Sequence, residues 1–149
     1  MINKNEELIY LHGGMSSDTI YDDLWALDLK TIVWTKISFK HEDPKPCARA
    51  AHGGISVDKS FFIFGGIDSS NNALNDLWKY DSELNQWSII DIFGYKPPPR
   101  LDFAYCKVKI LDTDKSNDDI KKLKNFFVIH GGMDNEGNIF DDCFIINFS

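Results

Sequence analysis

LHGGM (residues 11–15), IFGGI (63–67) and IHGGM (129–133) are three spellings of one pattern. In each, a β-rich run ends on two glycines: LIYLH before Gly13-Gly14, FFIFG into Gly65-Gly66, and FFVIH before Gly131-Gly132. A polar loop and a second strand-like run follow every time: YDDLWALD (21–28), LNDLWKYD (74–81) and FDDCFIIN (140–147). Gly14 to Trp25 is 11 positions, while Gly66 to Trp78 and Gly132 to Phe144 are both 12. Loops of slightly different length joining aligned strands are what an internal repeat predicts.

The agreement continues outward. Asp28 and Asp81 lie three positions past Trp25 and Trp78, and Asn147 lies three past Phe144. Asp and Asn start turns by bonding side-chain oxygens to backbone N–H groups two residues on. A second tryptophan stands nine past the first, Trp34 after Trp25 and Trp87 after Trp78. Proline-containing loops then lead to arginine, PKPCAR ending at Arg49 and PPPR ending at Arg100. The double glycines step by 52 and then 66 residues, the longer step stretched by LDTDKSNDDIKKLKN (111–125).

The hydrophobic run with Gly-Gly, the N-D-L-W-type strand, the tryptophan nine on and the P-x-R segment together resemble kelch repeats, over about residues 8–148. The resemblance implies a β-propeller built of four-stranded antiparallel blades. The residues themselves argue all-β: short strands bounded by Gly, Asn, Asp and Pro, without sustained helical periodicity. The one helix candidate is NDDIKKLK (117–124), whose apolar face would hold only Ile120 and Leu123. Trp25, Trp34, Trp78, Trp87 and Phe144 are expected to fill the layer between blades, where a large aromatic buries about 150–250 Å². The glycines are expected to supply positive φ or to let a neighbouring blade approach.

The strands group into a single partial domain over 1–149: blade 1 at about 8–38, blade 2 at about 50–91, and blade 3 at about 102–148 with its insertion at 111–125. The first blade shows no obvious inner strand and the third no outer strand. A propeller closes with about 4–8 blades, so this is an arc. Two completions stand open: the remainder of a longer propeller, or a head-to-tail homodimer closing a six-bladed ring.

Composition narrows the function classes. A formal charge of −7 repels phosphate backbones and anionic lipid, so neither nucleic acid nor a membrane is the expected partner. The first residues, MINKNEELIYL, lack the apolar core of a signal peptide. Cys47, Cys106 and Cys143 are widely spaced and odd in number, which suits reduced thiols in the cytoplasm or nucleus.

Chemistry fares less well than geometry. An esterase H-G-G would need a G-x-S-x-G elbow, and GISVD and GMSSD both lack the last glycine. Phe64 replaces histidine before the second double glycine, so His12 and His130 are read as strand-end packing. HGG at 52–54 sits three past Arg49, where Phe103 follows Arg100. His12 with Met15 and His130 with Met133 give one soft-ligand pair on each of two blades, not one cluster. Asp112, Asp114, Ser116 and Asp118 alternate like an EF-hand start, but Asn117 and Leu123 stand where glycine and a bidentate glutamate belong. No metal and no cofactor are expected, and the chain is not expected to be an enzyme. Arg49 and Arg100 are expected to bridge blades through carbonyls or carboxylates.

The resemblance implies a docking platform for a partner protein or peptide, acting as adaptor or scaffold. Its alternative is a regulatory or substrate-docking piece of a larger kelch enzyme, of phosphatase, ubiquitin-ligase adaptor or oxidase-like type. Antiparallel connectivity puts the loops joining second to third strands on one face. The candidate contacts there are Ser16, Ser17 and Asp18; Asp68, Ser69, Ser70, Asn71 and Asn72; and Asp134, Asn135 and Glu136.

Overall fold

A computed structural model of the chain describes residues 2–3, 8–112 and 122–148. They form twelve strands in three antiparallel sheets. Blade 1 is β1 (Ile2–Asn3), β2 (Leu8–His12), β3 (Leu24–Asp28) and β4 (Val33–Ile37), hydrogen-bonded in that order. Blade 2 is β5 (Arg49–Ala50) with β6 (Gly53–Val57), then β7 (Ser60–Asp68), β8 (Ala73–Asp81) and β9 (Gln86–Ile90). Blade 3 is β10 (Ala104–Asp112), β11 (Lys122–His130) and β12 (Cys143–Asn147).

Four expectations about the strands change. Blade 1 does have an inner strand, since Ile2 pairs with Ile9 and Asn3 with Leu8; a two-residue strand leaves no readable alternation. The inner strand of blade 2 is broken where Ala51 turns to φ 55°, a left-handed value that interrupts extended pairing. The insertion is shorter than its composition suggests, because β10 and β11 stay paired out to Asp112 and Lys122. The helix candidate fails at its C-terminal end, where Lys122 to Lys124 are strand. Cross-strand pairing there, such as Ile110 with Lys124 and Leu111 with Leu123, outweighs a weak local helical pattern. The remainder of 117–124, and Asp114, Ser116 and Asp118 of the EF-hand-like stretch, lie outside the described residues.

The core is split into two layers, one per joint between blades. Between blades 1 and 2 pack Tyr10, Leu24, Ala26, Phe61, Ile63, Tyr80 and Trp87. Between blades 2 and 3 pack Ile55, Val57, Phe62, Phe64, Leu77, Phe103, Phe127, Ile129 and Ile146. Blade 2 is therefore apolar on both faces, which is why FFIF (61–64) is unbroken: Phe61 and Ile63 face one neighbour, Phe62 and Phe64 the other. Each such burial stabilises by roughly 1.5–3 kcal/mol. Trp34 departs from expectation. It occupies the place in blade 1 that Trp87 holds in blade 2, yet it is 46% exposed against 2%. Its face of blade 1 is turned away from blade 2.

Candidate functional site

The turn chemistry that the sequence announces is built. The Asp28 carboxylate accepts the backbone N–H of Lys30 and Thr31, and that of Asp81 accepts Glu83 and Leu84. The double glycines are left-handed in every blade, at φ 60° and 102°, 65° and 94°, and 66° and 90°. In blades 2 and 3 the second glycine also admits a neighbour. A Cβ on Gly66 would stand 2.5 Å from the Ala50 carbonyl oxygen, and one on Gly132 2.6 Å from that of Leu101.

Those approaches belong to a joint that recurs around the arc and is organised by arginine. The Arg49 backbone reaches blade 1, accepting the Gly14 N–H at 2.9 Å and donating to the Tyr21 carbonyl at 3.0 Å. Its fully buried guanidinium points into blade 2. There it donates to the Gly65 carbonyl at 3.1 Å and grips Asp76 with two bonds of 2.7 and 2.8 Å. Arg100 repeats this one blade on. Its backbone bonds Gly66 and Leu74, and its side chain bonds the Gly131 carbonyl at 2.9 Å and Asp142 at 2.6 and 3.0 Å. Bidentate charge-assisted pairs are the strong class of hydrogen bond. Partial burial opposes ionisation of Asp76, but Arg49 and the Trp78 indole N–H outweigh it and hold the carboxyl below the usual range. Hydrogen bonds from Arg100 lower Asp142 likewise. The crossing between blades is thus made by the arginine main chain, while the guanidinium, expected itself to bridge blades, is spent on the carbonyl and carboxylate of the blade that the arginine leads into.

Above these joints lies a groove of about 550 Å³. Met15, Ile20 and Leu101 supply apolar surface, and Ser69, Asn71 and Asp102 supply polar groups. Ala51, Asn71 and Asp102 all line it with positive φ, at 55°, 63° and 53°. Left-handed non-glycine residues cost energy and cluster where a surface is shaped for use. A backbone bond of 3.1 Å from the Asp102 N–H to the Ala51 carbonyl ties two of these residues together.

Of the loop residues picked from sequence, Asp68, Ser69 and Asn71 line this groove; Ser16, Ser17, Asp18, Ser70, Asn72, Asp134, Asn135 and Glu136 do not. Asp68 organises its own loop, accepting the N–H groups of Ser70 and Asn72 and the Asn72 side chain. Asp134 does the same with Glu136 and Asn138. Met15, weighed in the sequence only as a soft metal ligand, and Ile20, Leu101 and Asp102 were not among the candidate contacts. Their signal was the place after each double glycine and after Arg100, which loop polarity hides.

Histidine brings a second surprise. His12 Nδ1 and His52 Nε2 lie 3.4 Å apart, across the joint between blades 1 and 2. The HGG at 52–54, placed in the sequence only by its distance from Arg49, thus sets its histidine against the strand-end histidine of the first. The outer nitrogens, His12 Nε2 and His52 Nδ1, are buried without a partner among the described residues. Burial, then the neighbouring His52 and Arg49 charges, lowers His12 to about 3, and burial and Arg49 lower His52 to about 4. Both imidazoles are neutral at pH 7. Among the described residues no group of three or more His, Cys, Asp or Glu is placed to hold a metal ion.

Three blades with the same glycine pair, linked by two arginine joints of one plan, are a family signature, and a family model agrees. The KLHDC2/KLHL20/DRC7 Kelch-repeats domain matches residues 1–149. The chain belongs to the kelch-repeat family. Among the curated proteins it resembles, the Rho GTPase-activating protein gacHH of Dictyostelium discoideum is 35% identical over 97 residues, 61% of this chain and 6% of that protein. Acyl-CoA-binding domain-containing protein 4 of Arabidopsis thaliana is 34% identical over 85 residues, 57% of this chain and 12% of that protein. Kelch domain-containing protein 1 of Mus musculus is 34% identical over 90 residues, 60% and 22% respectively. The matched stretch is thus a small part of each of these proteins. Kelch repeats are generally protein-interaction modules and typically non-catalytic.

Proposed function

We propose that this chain binds a partner protein through the groove above the arginine joints, acting as an adaptor or scaffold. The observation that carries this reading is the row of left-handed residues lining a half-apolar groove on a rigid base. An extended partner segment fits it, with an apolar side chain against Met15, Ile20 and Leu101 and a donor toward the exposed Asp102. Ser69 and Asn71 offer adaptable hydrogen bonds, as loop residues on a fixed scaffold do.

Partner capture after crosslinking tests it. Met15→Asp and Asp102→Asn are expected to lose the captured partner, while Glu83→Ala, on the β8–β9 turn at the opposite end, retains it. Equal recovery from all three would reject the groove. A second reading, docking within a larger multidomain protein, is favoured by the small share of each relative that the match covers.

We further assign the chain to the cytoplasm or nucleus, because Cys47, Cys106 and Cys143 are all free and exposed. Thiol labelling of protein from cells should find three reactive groups, and oxidised cysteines would refute the assignment.

A further inference from the structure

Charge is unevenly shared between the two ends of the arc. The segments that build and border the groove, 15–22, 67–75, 101–102 and 133–141, hold seven aspartates and glutamates and no lysine, arginine or histidine. Asp22 is paired with Lys45 at 2.6 Å; Lys40 and Lys45 line a separate cleft. The guanidiniums of Arg49 and Arg100 are spent on Asp76 and Asp142. At the opposite end the signs are mixed, with Lys59 paired to Glu83, Lys79 to Asp81, and Lys30 in the Asp28 turn. Charge that serves solubility alone is interspersed over a surface; here one sign gathers at the groove.

Alongside these carboxylates runs an apolar row tied by main-chain pairs. Met15 pairs with Ile20, Ala50 with Ile67, Leu101 with Met133, and Met133 with Ile139. Met15, Ile20, Ile67 and Leu101 line the groove. The row is open to solvent at both ends, where Met15 is 66% and Ile139 82% exposed. Partial burial opposes ionisation of Asp68, but hydrogen bonds from Asn72 outweigh it; bonds from Asn138 lower Asp134 likewise. Asp102 is exposed, and its carboxylate meets no donor among the described residues.

We propose that this groove, on whose reading as a partner site the inference rests, takes an extended basic segment of a partner protein, with arginine or lysine beside an apolar anchor. The anchor packs against Met15, Ile20 and Leu101. The basic side chains lay their methylene stems on the apolar row and carry their charged heads to Asp68 and Asp102. Arginine suits Asp102 best, because its planar fork meets a carboxylate with two parallel hydrogen bonds. The same carboxylates repel an acidic or phosphorylated segment and steer a basic one toward the groove.

The test titrates the full chain into three fluorescent decapeptides of one leucine-containing frame, which carry arginine, glutamine or glutamate at the same positions. Binding is read by anisotropy. The arginine peptide is expected to bind about tenfold tighter than the glutamine one and to weaken as salt rises; the glutamate peptide is expected not to bind. Asp102→Asn keeps a residue that tolerates positive φ. It should cost the arginine peptide about two- to five-fold and the glutamine peptide nothing, while Glu83→Gln at the opposite end should cost neither. Equal affinity of the arginine and glutamine peptides, both weakened by Met15→Ser, overturns the basic occupant and leaves the groove itself standing. Arginine-peptide binding indifferent to Asp102→Asn, or silence of all three peptides, overturns it too, and partner capture with Met15→Asp then decides the groove separately.

Discussion

The two joints of this arc are built on one plan and differ in the rings at their centre. Phe64 and Phe103 meet edge to face between blades 2 and 3, with centroids 5.8 Å apart at 66°. His12 and His52 hold the same places between blades 1 and 2, at 5.2 Å and 77°. Geometry is therefore set by the strands and the arginine, and the rings only fill it. The histidine version fills it less comfortably, since it buries two nitrogens without partners. Two joints that look alike should consequently respond differently to acid and to substitution.

The largest expected effect tests what they share. Arg49→Ala or Arg100→Ala would leave a carboxylate and a carbonyl at the joint without their buried cation, at a cost of about 3–5 kcal/mol. Urea unfolding should show this for both; a loss under 1 kcal/mol in either would mean that ring packing, not arginine, holds that joint.

Acid separates the joints. The folded chain holds His12 and His52 near pKa 3 and 4, below their ordinary 6.5. The unfolded chain therefore binds more protons in that window. Their contribution is fully present above pH 6.5 and falls as pH drops toward the folded values, by about 2 kcal/mol per histidine between pH 7 and 5. Urea midpoints across that range measure it. The double variant His12→Phe with His52→Phe should flatten this part of the profile, and an unchanged slope would assign the acid sensitivity to other groups.

At pH 7 the same double variant makes the first joint resemble the second. Removing two unpartnered nitrogens is expected to stabilise by about 1–2 kcal/mol, read as a higher melting midpoint; a lower one would show that Phe does not fit the shorter ring distance. The smallest effect concerns the residue two past each arginine. Ala51→Gly, which relieves a positive φ, should gain about 0.5–1 kcal/mol, and Asp102→Gly a smaller amount because Asp tolerates that region better. Equal gains would erase the distinction.

Strand order and blade identity were legible because Gly-Gly, Trp and Arg are large signals at fixed spacing. The two-residue β1 was not, since so short a segment has no alternation to read. Trp34 was misplaced for a different reason: its letter matches Trp87, but burial depends on what lies across the face, which no local pattern reports. Loop polarity pointed to Asp68, at the groove, and to Asp134, away from it, whose carboxylates turn out to shape their own loops. It passed over Met15, Leu101 and Asp102, which meet only once the arginine segments fold back over the glycines. His12 and His52 lie 40 positions apart and became a pair only through the joint.

The backbone bond from Asp102 to Ala51 has a further consequence. With the Gly14–Arg49 and Gly66–Arg100 bonds it forms a hoop of main-chain contacts running from blade to blade. Main-chain atoms are common to every residue type. The angular pitch of the arc can therefore persist while ring identities drift, as the exchange of phenylalanine for histidine between neighbouring joints already illustrates.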